Sequence, residues 1–139
     1  MPFSRGMEID RDTEHLEPLF RAKVRVILAE LNVWCSKHKP GYCAELLEGR
    51  RSLKRQEALY AKGRSQPGPI VTNADGIHHR SKHQDGLAAD IGPVSQYGRV
   101  DWTDYKFWGY LQHLAHLHLL TSGADWHGLK DFDHIELTS

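Results

Sequence analysis

The stretch SKHQDGLAADI, Ser81–Ile91, decides how the chain folds. It places His83 and Asp90 on either side of six residues, and its second half begins GLAADIGPV, an apolar run with the length of a short buried strand. Gly86, Ala88 and Ala89 are small enough to let neighbouring backbone approach closely. An aspartate inside such a strand is costly unless it is paired. A metal ion would remove that cost, and so would an arginine, with Arg51 and Arg80 both plausible. The H-x6-D spacing leaves the two readings open.

A second polar cluster, DFDHIEL, Asp131–Leu137, lies near the other end of the chain. FDHIELT reads as the last strand. If it pairs with GLAADIGPV, His134 meets His83 and Asp90 over one sheet, with Leu87, Ile91, Phe132, Ile135 and Leu137 as the apolar base. Two histidines and one carboxylate form a ligand set for catalytic zinc, which keeps a fourth position open. Hydrolysis also needs a base for the attacking water. Asp131, Asp133 and Glu136 all lie within three residues of His134. Strand alternation puts Glu136 on the face of His134 and Asp133 on the other. Asp131 stands where a turn enters the strand, so periodicity does not choose between Asp131 and Glu136.

Outward from these two strands, residues 13–34 read as an opening helix capped by Asp12 or Thr13, with Leu16, Leu19, Phe20, Val24, Ile27, Leu28, Leu31 and Val33 near helical spacing. Pro40 and Gly41 break it, and CAELLEG follows as a short strand leading to Arg51. SLKRQEALYAKGR reads as a second helix with Ser52 as N-cap and Gly63 as its stop. Residues 65–82 form a long polar loop, a length that in a compact domain points to function or disorder. VDWTD reads as a short strand and a cap. DYKFWGYLQHLAHLHLL is a third helix with Phe107, Trp108, Leu111, Leu114, Ala115 and Leu119 inward, and SGADW is a sharp turn. Helices and strands mix without a βαβ rhythm. The expected class is α+β, a small antiparallel sheet flanked by about three helices, in a single domain over 1–139.

The 139 residues carry no net formal charge, which gives no electrostatic reason to expect nucleic acid as a partner. No apolar run approaches the roughly 18 residues of a membrane span, so no membrane insertion is expected. The opening MPFSRGMEIDRDTEHLEP is polar and acidic, unlike a secretory signal, which implies synthesis in the cytoplasm. Cys35 and Cys43 lack metal or redox spacing and read as reduced, mostly buried thiols. The chain has ten histidines. His78 and His79, with Arg80, are expected in a solvated loop, and His113, His116 and His118 on the surface of the third helix. His127 is a candidate for the cleft, Trp126 is expected to pack under the site, and Asp125 to be structural.

Four segments resemble the zinc D-Ala-D-Ala carboxypeptidase and L-alanyl-D-glutamate endopeptidase family, which shares the hedgehog/DD-peptidase fold. RSLKRQEALYAKGR is similar to the family's Arg-Ser/Thr-x-x-x-Gln helix, and PGPIVTNADG to the loop after it. SKHQDGLAADI matches Ser-x-His-x-x-Gly-x-Ala-x-Asp at every defined position. GADWHGLKDFDHIEL is similar to the closing segment with its Asp/Glu-x-x-His ending. The resemblance implies Zn2+ held by His83, Asp90 and His134, with Asp131 as general base. It implies that Arg51 polarises the scissile carbonyl or holds a substrate carboxylate, that Ser81 donates to substrate, and that Gln56 braces the site from its helix. The implied substrate is the stem peptide of bacterial peptidoglycan, cut by a monomer. An aspartate base, small size and the polar N-terminus look most like the L-Ala-D-Glu endopeptidases that serve as phage endolysins, freed to the cell wall by a holin. A D-Ala-D-Ala carboxypeptidase and a non-catalytic zinc-binding module on the same fold are the alternatives. Many relatives have proline where this chain has Asp133, whose side chain is expected to face solvent.

Overall fold

Glu17 starts the first helix, because its carboxylate accepts from the backbone N–H groups of Leu19 and Phe20 while Pro18 fills the first helical position. In the computed structural model, which describes residues 6–138, helix α1 therefore runs Pro18–His38. The expected start at residue 13 belongs instead to a separate 3-10 turn, Thr13–His15, capped by Asp12. Strand β1 is Tyr42–Glu48. Helix α2 is Leu53–Ala61, with the Ser52 hydroxyl accepting from Arg55 N–H. Strand β2 is Ala88–Ser95, and helix α3 is Tyr105–Leu117, capped by Asp104. Two short strands finish the fold, β3 at Leu120–Ser122 and β4 at His134–Leu137.

The strands form one antiparallel sheet in the order β1-β2-β4-β3. The last strand thus inserts between its predecessors, and Asp90 lies directly opposite His134. One sheet face is apolar. Ala44, Leu46, Ala89, Ile91 and Ile135 pack there against Phe20, Val24, Ile27, Leu31 and Cys35 of α1 and against Phe107, Leu111 and Leu114 of α3. The opposite face of β2 and β4 carries Asp90, His134 and Glu136, as alternation requires.

A bulge in β1 matters to this polar face. Leu46 pairs with Ile91, yet Glu48 pairs with Asp90, so Leu47 is the extra residue. The bulge brings Glu48 beside Asp90, whereas strict alternation would have left it on the core face with Leu46.

Several expectations change. VDWTD contributes only an isolated bridge between Val94 and Val100. Leu119 does not face inward. It is 78% exposed with φ 61°, because α3 has ended at Leu117 and the chain reverses there into β3. That three-residue strand was hidden in the span read as helix and turn. Leu19, Val33 and Phe132 are exposed, and so is Cys43, while Cys35 is buried; both cysteines are free thiols. No helix among the described residues is long and apolar enough to cross a membrane.

Candidate metal centre

His83 comes to the sheet on a 3-10 turn, Lys82–Asp85, whose start is a capping box. Ser81 hydroxyl accepts from His83 N–H at 3.2 Å, and Gln84 Oε1 accepts from Ser81 N–H at 2.8 Å. Gly86 closes the turn at φ 71°, where a Cβ would also meet backbone of His15 and Glu17 at 3.0–3.1 Å. The backbone N–H of Arg51 donates to His83 carbonyl at 2.8 Å, tying the entry of α2 to this turn.

Three side-chain atoms converge here. His83 Nε2 is 3.2 Å from His134 Nδ1 and 3.4 Å from Asp90 Oδ1, and His134 Nδ1 is 3.2 Å from Asp90 Oδ1. The far nitrogens of both rings are engaged elsewhere. His83 Nδ1 lies 2.7 Å from Gly49 carbonyl, to which it can only donate. His134 Nε2 lies 2.8 Å from Glu136 Oε1. With His83 Nδ1 and His134 Nε2 donating away from the site, two imidazole lone pairs and one carboxylate oxygen face one another, an arrangement that a cation among them stabilises. Atoms bound tetrahedrally to zinc at about 2.0–2.2 Å stand ~3.3 Å apart, which matches all three edges. His83, Asp90 and His134 fit the ion that their chemistry calls for.

The arginine alternative for Asp90 is met only in part. Arg80 pairs with Asp85 at 2.7 Å instead. Arg51 Nη2 is 3.7 Å from Asp90 Oδ2, too long for a hydrogen bond, so it balances charge on the oxygen turned away from the histidines. Arg51 is itself held from behind: Nη2 donates to Glu48 Oε1 at 2.8 Å, and Nη1 donates to Gln56 Oε1 at 2.9 Å. Glu48 also accepts from Arg55 Nε at 2.9 Å. Burial raises the Glu48 pKa, but Arg51 and Arg55 outweigh it and hold the carboxyl below its usual range. Gln56 is fully buried, and its amide also donates to Ala74 carbonyl at 2.8 Å, which pins the long loop to α2.

Asp131 stands beside this cluster. Carboxylate oxygens of Asp90, Asp131 and Asp133 lie within 4.8 Å of one another. Gly123 allows the approach: a Cβ there would sit 2.3 Å from Asp131 carbonyl and 3.0 Å from His134 Cβ. Asp133 does not face solvent as expected. The turn Asp131–His134, closed by His134 N–H to Asp131 carbonyl, folds its side chain inward beside Asp131. Burial, the bond to Asp131 and the Asp90 charge push Asp133 up to about 10, so it is the protonated donor to Asp131 at neutral pH. Asp90 moves the other way. Burial opposes its charge, but the two imidazoles beside it hold it well below the usual carboxylate range. Burial lowers the His134 pKa, and its bonds to Asp90 and Glu136 more than compensate, raising it to about 9. In the metal-free protein a proton on His134 is thus the cation of the site.

Of the other sequence candidates, only Trp126 touches this cluster. Trp126 packs against the His134 ring, centroids 4.9 Å apart. His127 is exposed, as are His78 and His79, His78 pairing with Asp75 at 3.1 Å. His116 is at the surface and bonds Asp125 at 2.7 Å. Glu48 and Arg55 were missed by sequence reasoning. The available signal was a glutamate closing an apolar strand three residues before Arg51, the same anomaly that drew attention to Asp90.

The fold and this site define a class. The chain carries the hedgehog/DD-peptidase fold with a two-histidine, one-aspartate cluster on the open face of its sheet. The L-Ala D-Glu endopeptidase ChiX of Serratia marcescens superposes with a TM-score of 0.64 at 22% identity, over 91% of this chain and 83% of that one. The vancomycin resistance D,D-pentapeptidase VanY, solved with Zn(II), superposes with a TM-score of 0.62 at 11% identity, over 96% of this chain and 79% of that one. In sequence the chain is 34% identical over 101 residues to the peptidoglycan L-alanyl-D-glutamate endopeptidase CwlK of Bacillus subtilis. The match takes in 66% of this chain and spans 59% of that relative. No protein-family model matches the chain. The family resemblance carried by the four motifs is borne out in sequence and in fold.

Proposed function

We propose that this protein is a zinc-dependent peptidase that cuts the L-Ala-D-Glu bond in the stem peptides of bacterial peptidoglycan. The observation that carries the reading is the convergence of His83 Nε2, Asp90 Oδ1 and His134 Nδ1 at zinc-ligand spacing, with the Asp131 carboxylate beside them. The likeness to CwlK supports the choice of bond. Zinc held by these three residues would supply Lewis acidity, which polarises a carbonyl and acidifies water. Asp131 accepts the proton of the attacking water and returns it to the leaving amine. Glu136 is unsuited to that task because its Oε1 is already 2.8 Å from His134 Nε2. Arg51, fixed by Glu48 and Gln56, places positive charge where a scissile carbonyl or substrate carboxylate would gain from it. Ser81 carries a hydroxyl that can donate to substrate while accepting from His83 N–H. Gln56 serves binding indirectly, through Arg51.

The finer part of the reading is a monomeric lytic enzyme of a phage or prophage. It rests on the aspartate at the base position. Purified cell wall digested with the zinc-loaded protein should yield new D-Glu amino termini. Release of free D-Ala instead would make the protein a D-Ala-D-Ala carboxypeptidase, and no new termini of either kind would leave a non-catalytic zinc-binding module. Lysis of host cells only when a holin is co-expressed would support the phage role.

A further inference from the structure

We propose that Glu136 is a positioning residue for the metal: it fixes which nitrogen of His134 faces the site and so sets how tightly zinc is held. The proposal rests on the metal-site reading above. An imidazole can turn either nitrogen to an ion, and the choice is set by what the other nitrogen donates to. The two histidines here are braced differently. His83 has a neutral backbone carbonyl behind it, Gly49 at 2.7 Å, whereas His134 has a carboxylate, Glu136 Oε1 at 2.8 Å. A carboxylate behind an imidazole both orients the ring and increases the basicity of the nitrogen facing the ion.

Glu136 is built into this position. It lies two residues beyond His134 on β4, hence on the same face, and it pairs with Ala88 on one side and Thr121 on the other. These small neighbours leave room for its side chain to lie back along the strand. Its second oxygen, Oε2, is 3.3 Å from Lys82 Nζ. Lys82 also donates to the carbonyl of Leu137 and is the residue before His83. The 3-10 turn that carries one histidine is therefore clamped to the strand that carries the other, through the same carboxylate. Asp90 divides its two oxygens in a similar way, one toward the histidines and one toward Arg51.

The test is zinc affinity, measured by competition with a chromophoric chelator on wild type, Glu136→Ala and Glu136→Gln. Glu136→Ala should weaken zinc binding about 10–100-fold. Glu136→Gln should stay within a few-fold of wild type, because its amide oxygen still accepts from His134 Nε2–H. Equal affinity in all three, with wild type binding zinc, overturns the positioning role and leaves the metal site standing. Failure of wild type to bind zinc overturns both. Nitrogen NMR on zinc-loaded wild type avoids any folding defect of a variant. A proton on His134 Nε2 and zinc on Nδ1 supports the proposal, and the reverse contradicts it.

Discussion

The two faces of the β2–β4 ladder share a backbone but are stabilised by opposite means. On the helix side, Ala89, Ile91 and Ile135 have no exposed surface and belong to one apolar cluster with side chains of α1 and α3. On the other side, Asp90, His134 and Glu136 occupy the alternate positions, with Glu48 brought beside Asp90 by the β1 bulge. The first face is held by removal of area from water and tolerates similar shapes. The second is held by charges that must balance one another. There, near-identical groups behave oppositely: the imidazoles beside Asp90 outweigh burial and keep it ionised, whereas burial and the carboxylates beside Asp133 together keep it protonated. On such a face the identity of each neighbour matters more than its size.

This contrast can be broken at several points. The largest effect on stability is expected from Glu48→Ala, which leaves Arg51 and Arg55 without their shared carboxylate. Removing one partner of a buried ion pair costs about 3–5 kcal/mol, read as a loss in denaturant unfolding. Ile135→Ala on the other face should cost about 2–5 kcal/mol through the cavity it leaves. Its folded fraction should nonetheless bind zinc as wild type does, because its side chain belongs to the apolar cluster on the face opposite Asp90 and His134. Comparable zinc loss in Ile135→Ala would show that the faces are not separable.

A smaller effect is expected with pH. His134 has a folded pKa of about 9, above the ordinary value near 6.5, so its stabilising contribution is complete below about 6.5 and is lost as pH rises through 9. Asp133, raised to about 10, adds a slope of the same sign, because the folded state holds its proton above the ordinary carboxylate range. The metal-free protein should therefore melt at progressively lower temperature from pH 6.5 to 9. Zinc should flatten that slope by replacing the His134 proton. A Tm that rises with pH in the metal-free protein would contradict these charge assignments.

The helix-side face was legible from spacing, since Phe20, Val24, Ile27 and Leu31 repeat at helical intervals, Ile91 sits in a short apolar run, and Ile135 and Leu137 alternate with polar residues. The two polar segments were legible as strands, but their pairing was only a condition, which the register of Asp90 opposite His134 meets. What spacing did not reveal was set by three-dimensional proximity. Leu119 was placed inward because its spacing continues α3, but the helix had already ended. Alternation puts Asp133 on the face away from His134, but it does not hold before β4 begins at His134, and Asp133 lies buried beside Asp131 rather than in solvent. Glu48 changes sides through a bulge that leaves no mark in the apolar pattern. The choice between Asp131 and Glu136 came from family motifs, and the geometry adds a reason for it in the His134–Glu136 bond.

The central claim is that two distant segments form one catalytic metal site. Zinc content and cell-wall hydrolysis should be measured together on wild type, Asp131→Ala and His134→Ala. The account predicts about one zinc and activity in wild type. It predicts zinc retained with activity reduced about 10²–10⁴-fold in Asp131→Ala, and both lost in His134→Ala. A wild type that binds no zinc and leaves walls intact, or an Asp131→Ala protein with full activity, would contradict it.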